Sequence, residues 1–436
     1  MTPLNQSGLR RTSALAAVRP AGCHDDDERL VEIGARVLFS LLAEPGDGVL
    51  GRVVAALGAA TTADYFMEQA SVEHFAEALS TVAPSVLNLP GSAGYADAPG
   101  SGGITAEELR AGWQRWMPRL TQRVIERNEF DHALLCASAV GAQLLVPGDP
   151  MWPVGLDELG VHAPWLLWVR GRATALSESE RSIAVVGARA ASGYGEQVAA
   201  EASAGLVDRG FTIVSGGAYG IDGVAHRAAL ASEGVTVAFL AGGIDRFYPS
   251  GHEKLLSHLV ATGAVMAETP CGTAPTKWRF LQRNRLIAAA SHATVVVEAG
   301  YRSGALNTAA HAADLGRPLG AVPGPVTSAS SVGCHRILRE YGAVCVTNAA
   351  QMAELGGLDL SAGGVGGRRN PDECRTVDAL DIRRVRSVEN IAERAGLSVA
   401  TVTAILGVLD IHGVAEQREE GWRLTRTHQT DDHCPV

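Results

Sequence analysis

The sequence predicts an α/β fold, a doubly wound parallel sheet with a small helical domain before it and a winged-helix domain after it. Short apolar runs alternate with helical stretches through the middle of the chain, the pattern of strand–helix–strand units. These runs are continuously hydrophobic, as expected of strands that are buried on both faces. Glycine-rich stretches at 90–103 and 361–367 divide the chain into three folded blocks.

The first block is predicted to be a tail followed by a helical domain. Residues 1–28 lack periodicity and are interpreted as a disordered tail. Residues 29–88 show helical spacing of apolar side chains, as at Leu30, Ile33 and Val37. We consider a SAM-like or helix-hairpin-helix-like arrangement for this domain. Residues 89–103 are the first predicted linker.

The middle block, residues 104–356, carries the predicted sheet. Its candidate strands are 183–186, 211–214, 235–240, 264–267, 294–297 and 319–322. Its candidate helices are 196–208, 222–231, 252–260, 284–290 and 304–315. Ligands of such sheets lie beyond the carboxyl ends of the strands, where loops meet helix N-termini. We therefore look for functional residues in those loops.

The last block is predicted to be a winged helix over 374–428, after a second linker at 357–373. Residues 387–402 contain a helix, a turn at Gly396 and a second helix, and 413–424 are predicted to form a β-wing. The expected recognition helix, 399–409, contains no Lys or Arg. Reading duplex DNA needs donors for base edges and phosphates, so this domain is expected to contact protein.

Composition restricts the class of protein. The 436 residues carry a net charge of −10, so any contact with nucleic acid needs a local basic patch. The seven cysteines form no C-x-x-C pair, which argues against a zinc ribbon or a disulfide framework. No run reaches the ~18–20 apolar residues of a membrane helix, and Arg19-Pro20 interrupts the N-terminal apolar run before it can serve as an export signal. We expect a soluble, cytoplasmic protein.

Two glycine-rich loops follow the first two strands of the parallel sheet. The first, 187–195, contains Arg189 and Ser192, and the second, 215–222, contains Ser215, Gly216, Gly217 and Gly220. Neither matches G-x-G-x-x-G, and the P-loop pattern is absent, so there is no sequence support for those nucleotide sites. Backbone N–H groups and a guanidinium can converge on an anion in such loops. The alternative is a tight turn with a surface arginine. Asp222 is expected to cap the next helix, and His226 to be structural.

A basic cluster at 277–285, K-W-R-F-L-Q-R-N-R, holds four cations and no acid. Single-stranded nucleic acid requires cations for its phosphates and aromatic faces for its bases. The competing interpretation is a solvated face with Trp278 and Phe280 in the core. A later strand end adds Arg302 and Ser303. No catalytic triad, carboxylate pair or metal-ligand spacing stands out, so binding is favoured over catalysis.

Together and in order, these motifs resemble the DprA/Smf family of DNA-processing proteins. The resemblance covers about residues 145–346 and includes V-V-G-A-R, S-G-G-A-Y-G-I-D, F-L-Q-R-N-R-L-I-A and R-S-G-A-L-N-T-A. It implies an extended Rossmann-like domain that binds single-stranded DNA, dimerises, protects incoming DNA and loads the RecA recombinase in natural transformation and homologous recombination. Single-strand-binding protein is a further expected partner. No cofactor, metal, membrane or catalytic residue is expected.

The resemblance also implies which residues bind DNA. The basic pocket falls on Arg189 and 277–285, with Phe280 on a base and the 215–220 loop on a phosphate. The expected set is Arg189, Ser192, Ser215, Gly216, Gly217, Gly220, Lys277, Phe280, Arg283, Asn284, Arg285, Arg302 and Ser303. Asn284 and Glu298 are interpreted as residues that position loops. His335 departs from the asparagine usual in the family, which leaves the hydrogen bonding of its loop open.

Two other functions are weighed against this one. A nucleotide phosphoribohydrolase of the lysine-decarboxylase-like Rossmann group would share the sheet, but its P-G-G-x-G-T signature is absent, and the nearest string is V-P-G-P at 322–325. A transcription regulator would sense an anion in the sheet and bind duplex DNA through its wing. The lack of basic residues in the expected recognition helix counts against it.

Overall fold

The computed structural model describes residues 12–83, 86, 103–357, 371–411, 413–418 and 421–425. The chain divides into two compact units, Met1–Leu358 and Asp359–Val436, where the sequence predicted three blocks. The reason is that the N-terminal helices and one end of the sheet share a hydrophobic core, in which Phe39, Trp168 and Val265 are all buried. Residues 89–102 and 358–370, nearly all of the two predicted linkers, lie outside the described residues.

In the described part of the chain, seven α-helices precede the sheet. They are α1 (Thr12–Ala16), α2 (Asp27–Leu42), α3 (Gly48–Leu57), α4 (Ala59–Met67), α5 (Val72–Val82), α6 (Ala106–Arg119) and α7 (Glu129–Ala139), with a π-helical turn at Leu120–Glu126. Asp26, Asp47, Ser71 and Thr105 cap the N-termini of α2, α3, α5 and α6. The helical region therefore extends past residue 88 and takes in α6 and α7, which the prediction had assigned to the sheet domain.

Aromatic side chains hold these helices together. Phe66 of α4 lies at the centre, stacked on Trp113 at 5.0 Å and edge-on to Trp116 and Phe39 at 5.8 and 6.2 Å. Such pairs contribute ~0.5–1.5 kcal/mol beyond their buried area. Because Trp113 and Trp116 both belong to α6, this helix is an integral part of the helical region.

Residues 12–28 do not form the tail that the sequence predicted. Leu15 and Val18 are fully buried, and the Arg19 guanidinium donates to both Asp25 and Asp149 at 2.7–2.8 Å. A five-residue helix is too short to show periodicity, and Asp149, the partner of Arg19, is 130 positions away from it. Local sequence therefore carries no signal of this packing. Residues 1–11 lie outside the described part of the chain.

The described residues of the larger unit form a nine-stranded sheet in the order β1-β2-β6-β5-β4-β3-β7-β8-β9. Its strands are β1 (Gln143–Leu145), β2 (Leu167–Gly171), β3 (Ser182–Val186), β4 (Thr212–Gly216), β5 (Thr236–Leu240), β6 (Ala264–Ala267), β7 (Ala293–Val296), β8 (Leu319–Ala321) and β9 (Val344–Cys345). Strand β2 is antiparallel to β1 and β6, and the remaining pairs are parallel. The predicted α/β class with a large, mostly parallel sheet is confirmed.

Helices cover both faces of the sheet. They are α8 (Gly193–Val207), α9 (Ile221–Ala231), α10 (Glu253–Thr262), α11 (Lys277–Ala289), α12 (Ala305–Asp314), α13 (Val332–Glu340) and α14 (Ala349–Leu355). Alternate residues of a strand point to opposite faces. Accordingly Ala184 joins the cluster formed with α11 and α12, whereas Ile183 and Val185 join the cluster formed with α8 and α9.

The chain reverses its direction across the sheet at β3. It proceeds from β3 through β4 and β5 to β6 on one side, then returns to β7 and β8 on the other side of β3. Loops leaving neighbouring strands diverge at such a switch point and open a crevice there. The loops that follow β3, β4 and β7 are therefore the expected walls of a binding site.

The C-terminal unit contains α15 (Pro371–Ala379), α16 (Val388–Ala395), α17 (Val399–Ile411) and the antiparallel pair β10 (Ala415–Arg418) and β11 (Gly421–Leu424). Ile391, Val402, Leu406 and Trp422 lie in its core. Gly396 ends α16 in the left-handed conformation at φ 66°, which glycine adopts at no steric cost. The winged-helix assignment stays a prediction.

No single helix among the described residues is long and apolar enough to cross a membrane, although α16 and α17, bent by 106° at their junction, pass the test of length and composition as a pair.

Candidate nucleic-acid interface

A groove of about 890 Å³ opens at the carboxyl ends of β3, β4 and β7. Its walls are the loop after β3, the first turns of α11 and the loop that leads into α12. The lining includes Gly187, Arg189, Ala218, Asp222, Tyr248, Lys277, Phe280, Arg283, Asn284, Arg302 and Ser303. The groove therefore lies at the switch point of the sheet, where ligands of this fold class bind.

The basic cluster at 277–285 is helical. It forms the first nine residues of α11, and the Thr276 hydroxyl caps the helix by accepting the Arg279 N–H. The sequence placed the start of this helix at 284. With 3.6 residues per turn, Lys277, Phe280 and Arg283 line the groove, whereas Arg279 and Arg285 have partners outside it. Helical geometry thus divides the cluster into two faces.

Phe280 lies between two guanidinium groups in the groove. The Arg189 Cζ is 4.6 Å from the centre of the ring, and the Arg283 Cζ is 6.0 Å from it. Arg189 and Lys277 are exposed, and Phe280 is half-buried. This arrangement puts an aromatic face next to two exposed cations and one buried cation, which is what a nucleobase and its phosphates need.

Arg283 is the fixed cation, because its side chain is buried in the floor of the groove. Its Nη1 donates to the Phe239 carbonyl, and its Nε donates to Asn284 Oδ1 at 3.3 Å. Burial lowers the pKa of Arg283 to about 10, so the guanidinium stays charged at neutral pH. A Cβ at Gly216 would lie 2.0 Å from Arg283 Nη1. Gly216 therefore makes room for this arginine.

In the glycine-rich loop after β4, the structure differs from the prediction at Ser215, which was expected to bind DNA. Ser215 is fully buried, and its hydroxyl donates to the Val185 carbonyl at 2.7 Å. It therefore ties β4 to β3 and does not face the groove. Gly220 has φ +74°, and a Cβ there would lie 2.2 Å from the Ala188 carbonyl oxygen. The loop after β4 passes directly beneath the loop that carries Arg189.

Asp222 does not cap α9, because Gly220 occupies the N-cap position. Its carboxyl is buried in the groove wall near Arg283 and Arg189, and burial raises its pKa despite the attraction of both arginines. The sequence predicted Asp222 only as a cap and predicted no site role for Tyr248.

Two buried histidines hold the backbone of the glycine loop. The Nε2–H of His226 donates to the Gly216 carbonyl at 2.9 Å, and His252 Nδ1 lies 3.1 Å from the Gly217 carbonyl oxygen. Burial lowers the pKa of His226 to about 4 and also lowers that of His252. Their hydrogen-bond partners agree with the structural role predicted for His226.

His226 is expected to make folding sensitive to acid. Between its usual pKa of 6.5 and its folded value of about 4, the unfolded chain binds a proton that the folded chain excludes. Stability conferred by the neutral imidazole is therefore lost as the pH falls below 6.5. We expect the wild-type chain to lose roughly 2 kcal/mol more unfolding free energy than His226→Gln between about pH 7.5 and about pH 5. Urea unfolding at the two pH values measures this difference, and equal losses would contradict it.

Ser192, Asn284 and Glu298 use their polar groups within the protein. The Glu298 carboxylate is 2% exposed and accepts from the backbone N–H and the hydroxyl of Ser192 at 2.9 and 2.7 Å, and from the Ser330 hydroxyl at 2.9 Å. Asn284 Nδ2 donates to the Gly304 carbonyl and to Asn307 at 3.2 Å. These contacts join the loops around the groove, as the positioning role proposed for Asn284 and Glu298 requires.

Arg285 is not a groove residue, which corrects its place in the predicted DNA site. It is 2% exposed, forms two bonds with the Glu268 carboxylate at 2.6 and 2.8 Å, and donates to the His162 carbonyl at 3.0 Å. Arg279 likewise has its partner outside the groove: it forms an ion pair with Glu44 of the helical region, at 2.9 and 3.1 Å. The face of α11 that carries Arg279 and Arg285 is thus bonded to other parts of the larger unit.

Arg302 is exposed on the groove wall. Ser303 is beside it, and its hydroxyl accepts the Ala305 N–H at 3.3 Å, so it helps to start α12. His335 lies in α13, and its Nε2–H donates to the Gly324 carbonyl at 3.0 Å. Within the described residues, no group of three His, Cys, Asp or Glu side chains could hold a metal ion.

Known proteins resemble this chain in sequence and in fold. The sequence profile of the family DNA recombination-mediator protein A matches residues 143–356. A DprA chain of Mycobacterium tuberculosis is 45% identical over 327 residues, 70% of this chain and 84% of that one. The DNA processing protein DprA of Streptococcus pneumoniae is 38% identical over 200 residues, 46% of this chain and 69% of that one.

Two solved structures are also similar. The X-ray structure of DNA processing protein A from Streptococcus pneumoniae matches with a TM-score of 0.53 and 25% identity, over 76% of this chain and 98% of that one. DNA processing protein A of Helicobacter pylori, solved for insight into its single-stranded DNA binding mode, matches with a TM-score of 0.45 and 26% identity, over 49% of this chain and 95% of that one.

Proposed function

Because the chain belongs to the DNA recombination-mediator protein A family, whose members are named DprA or Smf, we propose that it binds single-stranded DNA in the groove of its sheet. The bound strand is protected and handed to the RecA recombinase in natural transformation and homologous recombination. In this proposal the protein acts by binding and has no catalytic residue.

The observation that carries this proposal is the placement of Phe280 between Arg189 and Arg283, with Lys277 on the same helix face. Arg283 is held by backbone and side-chain acceptors in the floor, and Arg189 and Lys277 are free to follow a phosphate backbone. Phosphate contacts supply affinity without sequence preference. An aromatic ring adds stacking, which every base accepts.

The single strand is favoured over the duplex because of the ring. Phe280 reaches a base face only when that base is unstacked from its neighbours, and bases of a duplex are stacked on both sides. Arg302 on the far wall and Lys277 on the near wall give the groove cations on both sides. A strand passing between them has its phosphates neutralised along its path.

The partners in this proposal rest on family membership. They are the RecA recombinase, single-strand-binding protein and a second copy of the chain. The C-terminal unit, proposed to be a winged helix, is assigned a protein contact, since the exposed side chains of α17 include Val399, Val408 and Ile411 and its sequence has no Lys or Arg. The protein is proposed to act in the cytoplasm.

Fluorescence anisotropy with labelled single-stranded and duplex oligonucleotides of one sequence tests the proposal. We expect tighter binding of the single strand, with the logarithm of the affinity falling by ~0.7 per neutralised phosphate for each unit of the logarithm of salt concentration. Equal or tighter duplex binding would contradict the proposal and favour the transcription regulator. Release of a base from a nucleoside monophosphate would favour the phosphoribohydrolase.

A further inference from the structure

The exposed aromatic side chains of the protein are concentrated at one edge. Among the described residues five aromatic side chains are exposed by 46–65%: Tyr194, Tyr219, Tyr248, Trp278 and Tyr301. All five lie in loops beyond the carboxyl ends of the sheet strands or in the first turns of α8 and α11. Large apolar side chains gathered on a surface mark a binding site. Only Tyr248 of the five lines the groove, so the other four are unexplained by it.

On one side of the groove, aromatic side chains lie one after another. The Tyr248 ring is 5.8 Å from the Phe280 ring, and the Tyr219 ring is 4.8 Å from the His252 ring. The short segment 248–252 joins the two pairs. A Cβ at Gly251 would lie 2.5 Å from the Tyr219 hydroxyl oxygen, so the chain runs close beneath Tyr219. We call Phe280, Tyr248 and Tyr219 the aromatic row.

Cations accompany this row. Arg246 is exposed and lines a small cavity together with Tyr248, Phe280 and Arg283. Arg227 is exposed on α9, and its Nη1 lies 3.3 Å from the position of a Cβ at Gly223, a position that His252 also approaches. The phosphates of a strand on the aromatic row would therefore lie near a cation at each end of the row. Together with the cations of the groove, Arg246 and Arg227 extend the positive charge along that path.

The opposite side of the groove lacks such a row. The hydroxyl of Tyr194, in the first turn of α8, donates to the Pro323 carbonyl in the loop after β8 at 2.7 Å. Tyr301 is 65% exposed and has no ring contact to Phe280 among the described residues. The continuous path of rings and cations leaves the groove only on the side of β4 and β5.

We propose that a single strand bound in the groove continues over the aromatic row, with successive bases stacked on Phe280, Tyr248 and Tyr219 and phosphates near Arg246 and Arg227. This inference rests on the proposed function, since it extends the path of the same strand. It assigns the protein a longer binding site than the groove alone. Removing a stacking ring from such a site weakens binding roughly 5- to 150-fold.

The test compares a short and a long oligothymidine, of roughly 5 and roughly 15 nucleotides, within the range of site sizes known for such grooves. Full-length wild-type, Tyr219→Ala, Tyr219→Phe and Tyr301→Ala chains are titrated by anisotropy at one salt concentration. We expect Tyr219→Ala to bind the long oligonucleotide roughly 5- to 10-fold more weakly, at the lower end for an exposed ring, and the short one unchanged. Tyr219→Phe keeps the ring and is expected to bind both like the wild type.

Tyr301→Ala is the matched control, because it removes an exposed tyrosine from the other side of the groove. Equal unfolding curves show that each variant is folded. The proposed path over the aromatic row is contradicted if Tyr219→Ala binds the long oligonucleotide like the wild type. It is also contradicted if Tyr301→Ala weakens that binding instead. If the wild type binds the short and the long oligonucleotide with equal affinity, the proposed path over the aromatic row is wrong and the proposed function stands. If it binds neither, the proposed function fails as well.

Discussion

Reversing the charge of Arg189 or Lys277, in Arg189→Glu and Lys277→Glu, is expected to abolish binding of single-stranded DNA and to leave the fold intact. Both side chains are exposed at the groove, so each substitution replaces attraction for a phosphate by repulsion without opening the core. Glutamate in the first turn of α11 is also compatible with the helix dipole. Anisotropy with a labelled oligonucleotide measures binding, and urea unfolding measures stability.

Arg209→Glu is the control for net charge. Arg209 is exposed at the C-terminal end of α8, where it donates to the Gly205 carbonyl, and this end of the helix lies away from the groove. The variant changes the net charge by the same two units and is expected to bind DNA like the wild type at moderate salt. A loss as large as that of Arg189→Glu would mean that overall charge decides binding. Normal binding by both groove variants would remove the groove from the proposal.

Replacing Arg285 by methionine is expected to lower the free energy of unfolding by ~3–5 kcal/mol, because it leaves the buried Glu268 carboxylate without its partner. Glu268 and Arg285 are 6% and 2% exposed, and the bonds between them are 2.6 and 2.8 Å long. Urea unfolding of the wild type and of Arg285→Met measures the difference. The same loss is not expected for Arg302→Met, since Arg302 is exposed and such changes stay within ~0.5 kcal/mol.

The double variant Arg285→Met with Glu268→Met separates the two causes of this loss. Removing both charges leaves no uncompensated group, so the pair of methionines is expected to be more stable than Arg285→Met alone. Equal stability of Arg285→Met and the wild type would contradict the structural role of Arg285. So would a loss of DNA binding by Arg285→Met at full stability, because the sequence-based prediction of a DNA contact would then be correct.

The parallel part of the sheet was predictable because its strands are buried on both faces. Strand β6 was predicted at its exact bounds, and β3, β4, β5, β7 and β8 within two residues. The edge strands β1 and β9 and the internal strand β2 were missed. Strands β1 and β2 precede the strand–helix alternation and pair antiparallel, and the two residues of β9 are exposed. Short edge strands have too few residues to show a pattern.

The candidate site was predictable as a set of loops and as a basic cluster, since both are local in sequence. Which members of the cluster face the groove was not. The prediction began the helix at 284, whereas α11 begins at Lys277, with Thr276 as its N-cap. Lys277 and Phe280 then share a face, and Arg285 turns to Glu268, a residue 17 positions away. Ser215 was assigned to phosphate for the same reason, because its partner Val185 is on a neighbouring strand.

The α/β class, the carboxyl-end loops as the place of the candidate site, and the family resemblance could be predicted, because each depends on burial and spacing along a single segment. The packing of residues 12–28, the position of Arg283 beneath Gly216 and the structural role of Arg285 emerged only from the folded chain. These depend on partners distant in sequence. A charged group or hydroxyl can bind a ligand only when it is not already paired or hydrogen-bonded within the protein. Partners that are distant in sequence come into contact only when the chain folds.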